Sequence, residues 1–433
     1  MLSKAQIEER NKLIGQHGYA TRLKRAKQIC KTFKFKVDYD NCTEKQKEYL
    51  KMLFVEAKWI YNYILSQSEK SETDTFEFDY KNLVQVIRKD KDKNDILTEI
   101  KYVKSSVKQE LITQIINQIK SLAKLKKHGY KVGKLKFKSE FNSIKLKQYG
   151  ITHSLRGNRF KIQGIDKPIK VFGLKQLTKY QDIEYTTANL LYDGFNYYIA
   201  LTCYVNDSER SYKNSIVGID MGVATAFTLS DGTKYKVSIG ESDRLKNLQR
   251  RLEAKEKGSN NRYKLIRKIR KEYIRMTNKK EDIANKIVHA ILRDNAIVVL
   301  QDEQIKEWKE DGKSGTKIQH SVLGRVKNKL RQSKQSRTLD HWFRTTQHCP
   351  ICGNNTKIEI ENRTFECPHC GLKEDRDIHA AKNMIYFYLN YINAPGTDVN
   401  MPVSNKKIIS YKQYCKRILS AKPESTTSLQ RCN

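Results

Sequence analysis

Four cysteines constrain this chain more than any other feature. CPIC at Cys349 and Cys352 is followed, after fourteen residues, by CPHC at Cys367 and Cys370. Each pair can fold as a knuckle, a tight turn aiming two thiolates at one ion. Four thiolates closing a tetrahedron with no open position make a structural zinc site. A segment this short cannot fold on its own apolar burial, whereas zinc can supply on the order of 10 kcal/mol. A two-strand hairpin across KIEIENRTFE is expected to bring the knuckles together. Redox use of either motif would need a strand–helix setting that neither has. The other five of the nine cysteines, Cys30, Cys42, Cys203, Cys415 and Cys432, are scattered. That distribution fits a reducing compartment with one metal site and no disulfide framework. The first residues, MLSKAQIEERNKLIGQ, lack the apolar core and cleavage site of a secretory signal.

The charge balance narrows the partners. Over 433 residues, 84 Lys and Arg stand against 48 Asp and Glu, a net of +36. An excess of that size opposes compaction unless a polyanion offsets it, and nucleic acid is the expected partner. An anionic membrane surface is the rival, yet no stretch approaches the roughly 18 apolar residues of a spanning helix.

The length admits two to four domains. KTFKFKV (31–37) alternates as a strand with basic residues on one face. Thr43 is a plausible N-cap for a helix running to about Ser68, with Leu50, Leu53, Phe54, Ala57, Trp59, Ile60 and Ile64 as its apolar set. Two more helices are expected near 80–91 and 95–126. From 131 to 205 the signals turn to strands: KLKFKS, NRFKIQG, PIKVFG, and TANLLYDGFNYYIALTCYV with an Asp193-Gly194 turn. A second pattern begins at Ser215. SIVGIDMGVATAFTLSDGTKYKV gives three strands, a basic helical region follows over about 243–293 broken by GSNN, and AIVVL (296–300) is a buried-type strand. VLGRVKNKLRQSKQS reads as a further basic helix. The end of the tail, SAKPESTTSLQRCN, has the composition of a disordered segment.

Three acids stand at element ends in this second half. Asp220 closes the apolar strand SIVGI between Gly218 and Gly222. Glu303 follows the strand AIVVL. Asp377 falls in the first turn of a helix whose Ala380, Ala381 and Met384 face the sheet. Singly, each is an ordinary cap or turn acid. Their order (acid on a strand, acid after a strand, acid on a late helix, in a basic chain) is that expected of a ribonuclease-H-like sheet whose carboxylates converge on two Mg2+ ions.

GIDMG (218–222), QDEQIKEW (301–308), the CPIC and CPHC ribbon, and DRDIHAAKNM (375–384) together resemble the RuvC-type nuclease of the TnpB family. Those are transposon-encoded RNA-guided DNA endonucleases, related to miniature type V CRISPR effectors. The resemblance covers roughly residues 210–387, and LKNLQRRLEAKEKGSNNRYK looks like the family's basic helix. It implies Asp220, Glu303 and Asp377 as catalytic acids and Mg2+ ligands, with Cys349, Cys352, Cys367 and Cys370 holding zinc. Asp302 is the alternative to Glu303, Asp375 the alternative to Asp377, and His379 stands where the family often has Asn.

The fold class expected is α+β multidomain. Residues 1–43 form a basic segment and the first strand of a β-barrel-like wedge module, 44–130 a helical recognition insert, and 131–210 the rest of the wedge. A RuvC-like nuclease follows over 211–348, then the inserted zinc ribbon (349–370), the last nuclease helix (371–393) and a basic tail (394–433). The partners implied are a guide RNA and double-stranded target DNA, with no membrane, in a prokaryotic cytoplasm; monomer and dimer stay open. RLKRAK (22–27), KSLAKLKK (120–127) and KLKFK (134–138) suit phosphate contacts. A CRISPR effector of the same chemistry, a nuclease-silent RNA-guided DNA-binding regulator and a strand-joining transposase are the competing readings.

Overall fold

The computed structural model describes residues 3–70, 78–90, 92, 94–206, 212–305, 307–310, 314–359 and 362–392. The tail expected to be disordered, with Cys415 and Cys432, lies outside the described residues. The chain divides into two compact units, residues 1–209 and 210–433.

The first unit begins with helix α1 (Lys4–Ala26), followed by β1 (Gln28–Val37) and α2 (Glu44–Lys70). Next come the hairpin β2 (Gln85–Lys89) and β3 (Asp95–Glu99), then α3 (Ser105–Lys127). Strands β4 (Ser143–Leu146), β5 (His153–Arg156), β6 (Arg159–Ile162), β7 (Ile169–Phe172), β8 (Glu184–Tyr192) and β9 (Tyr197–Asn206) complete it. One antiparallel sheet runs β4-β8-β9-β1-β7-β6-β5 and curls into a near-closed barrel. The early strand near residue 34 therefore does join strands from beyond the helical insert: Lys34 pairs with Ala200. Phe33, Phe35 and Val37 fill the barrel while Lys34 and Lys36 face out, the alternation that a half-buried strand requires. Asp193 accepts from the Phe195 and Asn196 N–H groups (2.8 and 2.7 Å), closing the β8–β9 turn.

Three expectations fail here, each for a local reason. Residues 80–91 are no helix: QVIRK and DILTE pair as a hairpin, with Val86 buried beneath and Arg88 over the Trp59 ring. The alternation was present, but the charged run between the strands obscured it. The helix expected from 95 begins at Ser105, because Glu56, buried on α2, accepts from the Lys101, Tyr102 and Val103 N–H groups and fixes that stretch as a loop. KLKFKS joins no strand; the Asn62 side chain instead brackets Lys138, accepting from its N–H and donating to its carbonyl.

The second unit holds β10 (Asn214–Met221), β11 (Phe227–Leu229), β12 (Lys234–Tyr235), α4 (Asp243–Glu253), α5 (Asn260–Asp294) and β13 (Asn295–Gln301). After these come α6 (Glu307–Glu310), α7 (Gly315–His320), α8 (Leu323–Arg331), β14 (Ser336–Leu339), β15 (Thr364–Glu366), β16 (Lys373–Asp375) and α9 (Arg376–Phe387). The sheet order is β12-β11-β10-β13-β14. The first three strands form an antiparallel meander, and β13 and β14 add in parallel beside β10. Val217, Ile219, Val298 and Leu300 pack under α5 and α8, with Ile287, Ile291, Val326 and Leu330. Ile216, Val299 and Leu339 meet Met384, Ile385 and Phe387 of α9 on the opposite face. This is a helix–sheet–helix sandwich.

Gly218 sets how close α9 can lie. A methyl group there would run into the Ala381 carbonyl oxygen. Replacing Gly218 by Ala should push the helix off the strand and cost about 1–3 kcal/mol, as overpacking does. Denaturant unfolding with an unchanged midpoint would contradict this packing.

Candidate active site and zinc ribbon

Strand and helix periods bring the three acids to one end of this sheet. Residues two apart on a strand share a face. Asp220 therefore follows Gly218 on the side covered by α9. Asp377 precedes Ala381, the residue against Gly218, by one helical turn. Glu303 comes two residues beyond Gln301, past the carboxyl end of β13, which runs parallel to β10. Clefts at the carboxyl ends of parallel strands are where open α/β sheets bind ligands.

The electrostatics agree with that placement. Burial, then the Asp377 carboxylate and then that of Glu303 push the Asp220 carboxyl well above its usual range. Burial also raises Glu303, with Lys327 pulling the other way. Like charges held together in low dielectric resist ionisation unless a cation joins them. The three do not contract into a cage for one ion: among the described residues, only the four cysteines bring three or more ligand atoms all within 4.8 Å of one another.

The two alternative acids are engaged elsewhere. Asp302 receives Lys327 and Arg331 at 3.0 Å each, and the Lys327 contact holds its carboxyl below the usual range. Lys327 also donates to the Glu303 carbonyl. Asp375 is the N-cap of α9, accepting from the Asp377 and Ile378 N–H groups at 3.1 Å, and pairs with Lys234 at 2.7 Å. Burial raises its carboxyl, but Lys234 and those N–H groups bring it below the ordinary value. Asp377, by contrast, meets Arg376 and Arg363 only at 3.6 and 4.0 Å.

The four thiols gather as their spacing predicts. Cys349 and Cys370 sulfurs stand 3.5 Å apart, and those of Cys352 and Cys367 3.6 Å. Zinc–sulfur bonds of about 2.3 Å at the tetrahedral angle put sulfurs about 3.8 Å apart, so this donor set fits zinc. The expected hairpin across KIEIENRTFE is not how the knuckles are joined. Residues 360 and 361 lie outside the described residues, and TFE pairs instead with KED, closing the second knuckle from both sides. The first knuckle is closed by the His348–Asn355 bridge. Each knuckle thus has its own short pairing.

His379 links ribbon to helix. It is wholly buried on α9, and its ring stacks on Phe365 at 3.6 Å between centroids. Its Nδ1 meets Glu374 (2.7 Å), and its Nε2 meets the His348 carbonyl (2.8 Å). Asn383 donates to the His348 and Thr345 carbonyls. Sequence reasoning missed Glu374, Gln301 and Lys327. A glutamine ending the apolar run AIVVLQ was the one available signal.

Comparison with known proteins matches residues 200–311 to the family described as "Probable transposase" (OrfB_IS605) and residues 323–384 to "Cas12f1-like, TNB domain". A protein of Streptomyces pristinaespiralis named "Putative RNA-guided DNA endonuclease" is 28% identical over 198 residues, 44% of this chain and 49% of its own length. One from Escherichia coli (strain K12), "Putative RNA-guided DNA endonuclease InsQ", is 30% identical over 199 residues, 40% of this chain and 48% of that one. The chain thus spans about half the length of the curated relatives it matches. The solved structure titled "Cryo-EM structure of the Cas12f1-sgRNA-target DNA complex" aligns at a TM-score of 0.44 with 14% identity, covering 83% of this chain and 99% of that one. The two family matches fall on a sheet with a four-cysteine ribbon and define the class: a transposon-type protein with a zinc-binding domain. Residues 200–384 belong to the OrfB_IS605, or TnpB, family, as their motifs indicated. No described helix is long and apolar enough to cross a membrane.

Proposed function

We propose that this chain is an RNA-guided DNA endonuclease of the TnpB type, with Asp220, Glu303 and Asp377 as its catalytic carboxylates. The supporting observation is the unneutralised charge at the sheet end, where Asp220 is pushed up by burial and by the other two acids. Carboxylate oxygens are the donors that Mg2+ prefers, and the soft thiolates of the ribbon are not. Bound there, a pair of Mg2+ ions would activate water and stabilise the leaving 3′ oxygen of a phosphodiester. The residues' part is positional. The close approach of α9 at Gly218 seats Asp377 opposite Asp220, and the Lys327 contact with Asp302 and the Glu303 carbonyl fixes the loop carrying Glu303. The antiparallel meander leading into two parallel strands, with acids at their carboxyl ends, supports the ribonuclease-H-like reading. The barrel unit and its helices would hold guide RNA and target heteroduplex by their backbones, and the net charge of +36 supports that role.

The test is to purify the chain with its bound RNA, sequence that RNA, and challenge the complex with a plasmid library carrying matching sites in Mg2+. Cleavage beside one short flanking motif is the expected result. Binding without cutting would leave the silent-regulator reading. Within this scheme Glu303→Gln should abolish cutting. Asp302→Asn should retain most of it, because Asp302 serves Lys327 and Arg331. Equal losses from the two variants would overturn the choice between them.

A further inference from the structure

Trp342 is 77% exposed, more than any other large hydrophobic side chain among the described residues. It sits three residues beyond β14, whose last residue, Leu339, pairs with Gln301 at the end of β13. It therefore stands at the sheet end that carries Glu303. The loop holding it is fixed at several points. The Gln301 side-chain amide donates to the carbonyls of Asp340, His341 and Phe343 (3.2, 3.1 and 2.8 Å), while its oxygen accepts from Thr345 Oγ1 (3.0 Å). Phe343 packs on Phe387 of α9, centroids 4.9 Å apart. On the solvent side, His341 pairs with Asp340 (2.9 Å), lies against the Trp342 ring at 4.2 Å, and is close enough to act electrostatically on Glu303 and Asp302. A buried polar clamp thus holds a bare indole at the mouth of the acidic site, with a histidine between them.

Solvent exposure of an indole is unfavourable, and a rigid loop cannot fold it away. An occupant must offer a flat apolar face next to a phosphate. We infer that Trp342 is a stacking platform for an unpaired nucleobase of the DNA strand, placed beside the phosphate that the carboxylates attack. The inference rests on the nuclease reading above and adds to it the form of the substrate. In a duplex both faces of each base are already stacked, so only an unpaired strand presents one to the ring. Every base has such a face, so the contact is sequence-tolerant. Trp342 is a positioning residue: it would set where the strand lies and take no part in bond breaking.

The test uses the full chain carrying Asp220→Ala, so that DNA is not consumed. Tryptophan emission is followed while an oligothymidylate, or a backbone-matched abasic oligomer, is added in Ca2+. With bases present, the component that Trp342→Phe removes should be quenched; the abasic strand should bind by charge without quenching it. In the cutting-competent chain, Trp342→Ala should raise KM for unpaired DNA about tenfold with kcat little changed, and Trp342→Phe should restore most of the loss. An unchanged melting temperature would show that neither variant acts through folding. Quenching that is equal for the abasic strand, or a Trp342→Ala chain with wild-type KM, would overturn the inference while leaving the carboxylate assignment standing. Cutting that survives Asp220→Ala would overturn that assignment while the emission change is read independently.

Discussion

Asp220→Asn should abolish DNA cutting and, in the absence of divalent cations, make the chain more stable than the wild type. The first effect follows from losing a metal ligand: several kcal/mol of transition-state charge stabilisation correspond to roughly 10³-fold or more in rate. The second follows from the sign of the shift. The folded chain holds the Asp220 proton more tightly than the unfolded chain does, because burial and then Asp377 and Glu303 raise its pKa. The folded state therefore binds more protons than the unfolded state, and stability falls as pH rises from the ordinary carboxylate range through the raised value. Glu303, raised by burial, acts in the same direction. The amide removes that loss, so the advantage of Asp220→Asn should be largest at neutral pH and vanish at acid pH. Adding Mg2+ should reverse the order, since only the wild type gains a bound cation. Thermal unfolding across pH, with and without Mg2+, reads all three effects. A variant less stable than wild type in metal-free neutral buffer would contradict the charge crowding at this site.

The second large effect is expected from a residue with no part in the chemistry. Cys367→Ser should release zinc and with it most of the cutting activity. The ribbon's own apolar cluster is small: Cys349, Phe365 and Cys367 are buried, with Ile358 and Leu372 against them. Metal binding on the order of 10 kcal/mol is then the main term holding it folded. Phe365 lies two residues before Cys367 and stacks on His379, which lies two residues after Asp377 on α9. Unfolding the ribbon removes the ring from His379 and the His348 carbonyl from both His379 and Asn383. The helix start bearing Asp377 loses its support on that side. Metal analysis should find the zinc gone, and cutting should fall at least about a hundredfold, while RNA retention by the first unit is kept. Wild-type cutting by a zinc-free variant would sever this link between ribbon and site.

What the residues revealed in advance was whatever depends on short spacing. Two Cys-x2-Cys pairs bring their ligands together almost regardless of context. SIVGID declares a buried strand ending in an acid, and the strand at residue 34 was recognisable from alternation alone. Elements decided by distant partners stayed hidden. The β2–β3 strands are strands because Val86 has α2 and α3 to bury against, which no local pattern in a charged run announces. KLKFKS alternates like a strand but is captured by Asn62. At the site, the choice between Asp302 and Glu303 turned on Lys327 and Arg331, more than twenty residues away in sequence. The His that departs from the family's usual Asn proved to be an internal joint, its identity matched to the Phe365 ring and the Glu374 carboxylate.

The most direct test is crystallographic: grow the full chain with Mn2+ and a non-hydrolysable DNA strand, and locate the ions by their anomalous scattering. The expected map shows Mn2+ bridged among the Asp220, Glu303 and Asp377 carboxylates, with a separate zinc peak inside the four cysteines. Mn2+ bound by Asp302 or Asp375 instead, or no ion within reach of Asp220, would contradict the account.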